Sequence, residues 1–259
     1  AVSQTVVVSI NYRLDQLGFM AHPALTAEGG GSGNYGLLDQ RAAMQWVHDH
    51  IAAFGGDPGN VTIAGESAGG VSVMLHGVAP GSAGLFHRAI VQSGPPDLLP
   101  ALTLDVAEGY GAAFATRVGC PEASTALSCL RAKSVEEIVV AADLTGEPGG
   151  LFYRTAAPVP TPNLDGVTLV EDPSAAYGAG RFAVVPYLVG SNGDEGTLFH
   201  SSLLSRVVAD EAEYRAALGR RYPADVDAIV ARYPVGSYAD ANAALTAVSS
   251  DQFNCITRR

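Results

Sequence analysis

The chain enters an apolar run almost at once. Thr5-Val6-Val7-Val8-Ser9-Ile10 shows no alternation of polar and apolar positions, which predicts a strand buried on both faces. Such a strand needs neighbours on either side, so the expectation is the middle of a longer protein. Gly29-Gly30-Gly31-Ser32-Gly33-Asn34 then reads as an exposed loop. From Gly36 to about Phe54 apolar residues recur at Leu37, Met44, Val47, Ile51 and Phe54, the spacing of a helix with one buried stripe. Gly55-Gly56-Asp57-Pro58-Gly59-Asn60 stops that helix and turns the chain. Val61-Thr62-Ile63-Ala64 reads as a short strand, Val71 to His76 as the body of a helix, and Ala89-Ile90-Val91 as a further strand.

This order predicts parallel pairing through right-handed crossovers. Helical stretches follow near 103–118 and 134–142, with Pro- and Gly-rich loops at 146–150 and 156–166. Val184 to Gly190 returns as a core strand. Glu213 to Val230 reads as a peripheral helix interrupted at Tyr222-Pro223, and no closing element is expected after Phe253-Asn254-Cys255. No repeat of fixed period is visible. The pattern as a whole predicts one α/β domain over 1–259, its sheet mostly parallel with helices on both faces. That domain is expected to be incomplete at both ends, with a helical excursion at about 101–180.

Composition narrows the choice of function. Hydrophobic residues make up 47% and charged residues 16% of the 259, which excludes disorder and collagen-like character. Fifteen Lys+Arg against 26 Asp+Glu leave a net charge of −11, which argues against nucleic acid or an anionic membrane surface as partner. No apolar run approaches the roughly 18 residues of a membrane span. No leader of basic then apolar residues stands at the start. Cys120 and Cys129 lie in a segment of turn and polar residues, where a bridge would close a short loop and stabilise by about 2–3 kcal/mol. Cys255 is left over, and in an exported protein an odd thiol implies a partner elsewhere. Three unrelated thiols in a cytosolic enzyme is the competing reading.

Gly65-Glu66-Ser67-Ala68-Gly69 has the form G-x-S-x-G of a nucleophile elbow. A serine at so sharp a strand-to-helix turn sits in strained backbone, where side chains two residues to either side are expected to collide. The turn lifts Oγ above the sheet, and the Ala68 N–H points where an oxyanion would form. With 30 glycines in the chain, such a pattern arises by chance with a probability of roughly a quarter. Context decides: the motif follows a predicted strand directly and leads into a predicted helix.

A serine nucleophile needs a base, and the base an orienting carboxylate. Asp194 and Glu195, just after the strand ending at Gly190, are adjacent candidates that spacing alone does not separate, because Asp194 could simply cap a helix. The base follows the acid in chain order, and only His200 does so. Five residues along a helix turn through about 140°, so Glu195 and His200 would diverge. His48, His50, His76 and His87 read as surface or capping histidines. The catalytic histidine is therefore expected to lie outside this chain. Asn60-Val61-Thr62 fits a glycosylation sequon but sits in a structural turn and reads as chance.

These residues resemble the type-B carboxylesterase/lipase family, the cholinesterase-like α/β hydrolases. The match runs through Val7-Val8-Ser9-Ile10-Asn11-Tyr12-Arg13-Leu14 with Leu17-Gly18-Phe19, and through Gly33-Asn34-Tyr35-Gly36-Leu37-Leu38-Asp39-Gln40 to Trp46. It continues through Phe54 to Thr62 with the elbow, and through Phe86-His87-Arg88-Ala89-Ile90-Val91-Gln92-Ser93-Gly94. A weaker match covers Cys120, Cys129-Leu130-Arg131, Pro186 and Asp194-Glu195-Gly196. The resemblance implies the α/β-hydrolase fold, Ser67 as nucleophile, Ala68 N–H as an oxyanion donor and Glu195 rather than Asp194 as triad acid. It implies that Glu66 and Ser93 support the site, and the Cys120–Cys129 bridge fits the family's pattern.

The family's His-Gly-Gly-Gly oxyanion loop has no counterpart here, for Gly29-Gly30-Gly31 lies downstream of where it belongs. Ile256 stands where a proline often follows the cysteine. The function expected is hydrolysis of small-molecule carboxylic esters by an extracytoplasmic protein, without metal or organic cofactor. Leu151, Phe152 and Phe199 are guesses at pocket walls, and the isolated 259 residues are expected to turn over negligibly. A non-catalytic adhesion or interaction protein on the same fold and another type of serine hydrolase are the alternatives.

Overall fold

A computed structural model describes residues 4–95, 101–142, 160–200 and 207–257, the side chains of 255–257 excepted. The expectations for the loop at 146–150, for Leu151 and Phe152 and for the Cys255 side chain fall outside the described residues. The described chain divides into two units, one within 4–142 and 160–189, the other within 190–257.

In the first unit two short helices, α1 (Asp15–Phe19) and α2 (Pro23–Gly29), precede α3 (Tyr35–His50). Helix α3 buries Leu37 and Met44 of the predicted stripe, with Gln40 buried between them, whereas Phe54, expected on the stripe, is 62% exposed. The helix tightens into a 3₁₀ turn at Ile51–Phe54, which ends at Gly55 with φ +81°, a left-handed conformation suited to glycine. Strand β1 (Thr62–Glu66), helix α4 (Ala68–Val78) and strand β2 (Arg88–Gln92) follow. The two strands pair in parallel from Thr62 opposite Arg88 to Glu66 opposite Gln92. In β2 the alternation buries Ala89 and Val91, which pack with Met44, Val73, Leu85 and Phe86.

Beyond this core, β3 (Leu102–Thr103) is followed by α5 (Leu104–Arg117), α6 (Ala126–Arg131) and α7 (Val135–Ala142). Phe114, Ala115, Cys120, Leu130 and Ile138 form their shared apolar cluster. The Cys120–Cys129 disulfide is present, with the Cα atoms 5.7 Å apart. Strand β4 (Asn163–Leu164) pairs in parallel with β3, and α8 (Pro173–Gly178) leads to β5 (Tyr187–Gly190), the third strand of a sheet ordered β1-β2-β5. A reciprocal pair ties distant stretches together. Asn34 donates from Nδ2 to the Asn163 carbonyl at 2.8 Å and accepts the Asn163 N–H at 3.0 Å.

Two strand expectations are corrected. The run from Thr5 to Ile10 joins no sheet among the described residues, and its side chains are exposed, Val7 at 83%. An apolar run supplies the propensity, but a strand forms only where a neighbour takes its N–H and C=O groups. The strand expected from Val184 begins at Tyr187; Val184 is 94% exposed, and Leu188 and Val189 are exposed as well. β5 sits at the edge of the described sheet, with a strand on one flank only.

The second unit is helical. It comprises α9 (Gly196–Phe199), α10 (Glu211–Arg221), α11 (Val226–Arg232) and α12 (Ala241–Thr257). Asp210 caps α10 by accepting the Glu213 N–H at 2.9 Å. The expected break at Tyr222-Pro223 separates α10 from α11, but α10 is not peripheral. Tyr214 and Leu218 are 0% exposed and pack with Val230, Ala244, Leu245 and Val248. Helix α12, over Ala241–Thr257, was not predicted. Its signals are in the sequence: Asp240 accepts the Ala243 N–H at 2.7 Å, and Ala241, Ala244, Leu245 and Val248 form a stripe. No helix among the described residues is long and apolar enough to cross a membrane.

Candidate active site

Ser67 occupies the junction between β1 and α4 with φ 55° and ψ −120°. Those values lie outside every region open to an L-residue without strain, at a typical cost of about 1–3 kcal/mol. Surrounding bonds hold the strain in place. The Ser67 N–H donates to the Gln92 carbonyl at 2.8 Å, and the Ser67 carbonyl accepts the Val71 N–H at 2.9 Å. Ser67 is half-buried, not enclosed in hydrocarbon. Ala68 opens α4, so its N–H has no acceptor within the helix.

The steric origin of the flanking glycines is one-sided. A Cβ on Gly65 would stand 2.1 Å from the Gly69 oxygen and 2.2 Å from its carbonyl carbon, whereas a Cβ on Gly69 would meet nothing within 4 Å. The expected collision at position 69 is therefore corrected: Gly65 must lack a side chain because the backbone of Gly69 passes over it. The glycines that sequence reasoning missed are Gly70 and Gly94. A Cβ on Gly94 would lie 2.5 Å from Gly70 Cα and 2.6 Å from the Ser67 carbonyl oxygen. The first turn of α4 thus rests backbone against backbone on the end of β2. Gly94 stood in the quoted match, but its contact with Gly70 spans elements that local spacing does not connect.

Ser93, directly after β2, is buried and holds φ 52°, a second strained non-glycine residue beside the elbow. Glu66 is exposed at the end of β1.

In the second unit Glu195 is buried, 9% exposed, at the N-cap of α9. Its Oε1 accepts the Asn192 N–H at 2.8 Å and its Oε2 the Asn192 Nδ2 at 3.3 Å. Asp194 is exposed, so burial separates the two carboxylates where spacing did not. Gly196 fits closely: its N–H donates to Ser250 Oγ at 2.9 Å, and a Cβ there would stand 2.1 Å from the Thr246 oxygen. Phe199 stacks on Phe253 with centroids 5.7 Å apart.

The histidines are engaged elsewhere. His22 caps α2 through Nδ1, His48 pairs with Asp49, His50 packs on Trp46, and His87 accepts the Val61 N–H. His200 bonds Ser249 at 2.7 Å, and burial pushes its pKa down to about 4. His76, expected as a surface or capping histidine, is buried between Ser82 and Gln40, and its pKa too is pushed down to about 4 by burial. It projects from the inward face of α4, a face the apolar neighbours Val73 and Leu75 already marked.

A strained serine between a parallel strand and a helix defines the fold as that of the α/β hydrolases. The chain belongs to the carboxylesterase family, whose model matches residues 1–244. It is 41% identical over 238 residues to Lipase 5 of Diutina rugosa, covering 88% of this chain and 42% of the lipase. It is 40% identical over 252 residues to the fumonisin B1 esterase of Sphingopyxis macrogoltabida, covering 96% and 44%. The crystal structure of Aspergillus niger EstA is similar with a TM-score of 0.76 and 33% identity, over 93% of this chain and 47% of EstA. The chain thus spans less than half the length of these relatives.

Proposed function

We propose that the full-length protein is a serine carboxylesterase that hydrolyses small-molecule carboxylic esters through an acyl-serine intermediate. The observation that carries this reading is the backbone of Ser67, held at φ 55° and ψ −120° at the strand–helix junction. A hydroxyl presented there is free to attack while the adjacent helix N-terminus faces the charge that develops.

Ser67 Oγ attacks the ester carbonyl carbon as its proton passes to a histidine. We place that histidine outside these 259 residues, because the six within them are engaged as described. The carbonyl oxygen becomes an oxyanion and accepts the Ala68 N–H. Collapse breaks the bond to the alcohol oxygen, which leaves with the proton from the imidazolium. Water then repeats the sequence on the acyl-serine and releases the acid. Glu195 orients the imidazole, and its burial together with the two bonds from Asn192 supports that role over Asp194. Glu66, next to the nucleophile in the chain, and Ser93, which follows the Gln92 whose carbonyl accepts the Ser67 N–H, support the site. The reaction as written draws on no metal or organic cofactor.

The 259 residues form the central part of one catalytic domain, with an excursion at about 101–180 between core strands. The disulfide supports export to an oxidising compartment. The test is Ser67→Ala in the intact protein, assayed with p-nitrophenyl acetate. Turnover should fall by several orders of magnitude, and a fluorophosphonate probe should label the parent but not the variant. Retained turnover would refute Ser67 as nucleophile, and a parent that resists labelling would favour a binding protein on the same fold.

A further inference from the structure

Four hydrogen bonds run head to tail through the first unit and end beside the elbow. Gln40 of α3 and His76 of α4 are both 6% exposed. His76 Nε2 lies 2.8 Å from Gln40 Oε1, an amide oxygen that only accepts, so Nε2 carries the proton. Burial keeps the ring neutral, and Nδ1 is left to accept the Ser82 hydroxyl at 2.9 Å. Gln40 Nε2 then donates to Ser72 Oγ at 3.2 Å, and Ser72 Oγ donates to the Ala68 carbonyl at 3.0 Å. Every link has a donor facing an acceptor, and the sense never reverses.

The endpoint distinguishes this chain of bonds from simple satisfaction of a core histidine. Ala68 follows the nucleophile directly and supplies the N–H that faces the oxyanion. Its carbonyl already accepts the α-helical bond from the Ser72 N–H. The Ser72 hydroxyl adds a second donor to the same oxygen, and Gln40 fixes that hydroxyl's direction from a different helix. The tilt of the first turn of α4 is thereby set from α3.

We propose that Ser72, Gln40 and His76 are positioning residues that clamp the Ala68 carbonyl and so aim the Ala68 N–H at the oxyanion. This rests on Ser67 being the nucleophile. The chain of bonds matters for the rate of the chemical step and little for substrate binding, because the oxyanion exists only after attack.

The test uses the intact full-length protein with Ser72→Ala, Gln40→Met and Ser72→Thr. Ser72→Ala should lower kcat for p-nitrophenyl acetate about tenfold with KM within about twofold, and slow fluorophosphonate labelling in parallel. Ser72→Thr keeps a hydroxyl able to reach the carbonyl four residues back, and should restore kcat to within about twofold of the parent. Gln40→Met should match Ser72→Ala in kcat. If it fails to fold, the half-buried Ser72 decides alone. Unchanged kcat in Ser72→Ala, or a loss that Ser72→Thr leaves unrestored, overturns the proposal, whatever the thermal stability does. A parent that neither turns over nor labels overturns the reading of Ser67 and this inference with it. An active parent with equally active variants overturns only the inference.

Discussion

Replacing Gly65 and Gly69 one at a time by alanine separates two glycines that look equivalent in the motif. At position 65 the added methyl would stand 2.1 Å from the Gly69 oxygen, 2.2 Å from its carbon and 2.8 Å from the Gly70 nitrogen. Even a close carbon–oxygen contact needs about 3.3 Å, so roughly 1.2 Å of backbone displacement is required. The obstructing atoms belong to the first turn of α4, which rests on Gly94 and has nowhere to move. Overpacking of this kind costs about 3 kcal/mol, or roughly 6–12 °C of thermal midpoint at 2–4 °C per kcal/mol. At position 69 nothing lies within 4 Å and the residue is helical, so alanine should be neutral or stabilise by about 0.5–1 kcal/mol. Differential scanning calorimetry of the two intact variants, with fluorophosphonate labelling alongside, reads both effects. Equal midpoints for the two, or a larger loss at 69, would refute the one-sided account of the turn.

Two further outcomes follow from the carboxylates and the buried histidines. Glu195→Gln should lower kcat about 10³- to 10⁴-fold, the scale on which a misoriented imidazole acts, while the exposed Asp194→Asn stays within about twofold. Steady-state kinetics on the intact protein would sink the assignment if the two losses were reversed. His76 and His200 are both held near pKa 4 by burial, against about 6.5 in the unfolded chain. Between those values the unfolded state binds more protons, so stability is full above about pH 6.5 and lost as pH falls toward 4. Thermal midpoints should drop across that window, and His200→Gln should flatten part of the drop. Midpoints that do not vary between pH 7 and 4.5 would contradict neutral burial.

What could be read from residues alone was whatever is local. The helix through Leu37 and Met44, the strand at Val61–Ala64 and the bend at Ser67 are each written within a dozen positions, and all three stand in the structure. Burial of the N-terminal Val6–Val8 run was misread because apolar content reports propensity, while burial depends on which strands come alongside. His76 was misplaced because a histidine's polarity argues for the surface, and its burial is made tolerable by Ser82 and by Gln40, the latter 36 positions away. Helix α12 was overlooked although Asp240 and the stripe from Ala241 to Val248 announce it, since small residues give a faint apolar signal. Spacing left Glu195 and Asp194 undivided, because the burial of one and the exposure of the other is a property of tertiary packing.

The reciprocal bonds between Asn34 and Asn163 have a consequence for how the chain reaches its shape. Their partners are separated by 129 positions. At about 5–20 residues per second, synthesis leaves Asn34 waiting roughly 6–26 seconds before its counterpart emerges. During that interval the Asn34 side chain has water in place of the Asn163 backbone, so the nascent chain carries a solvated seam. Closure of that seam belongs among the late events of folding, however early the neighbouring helix winds.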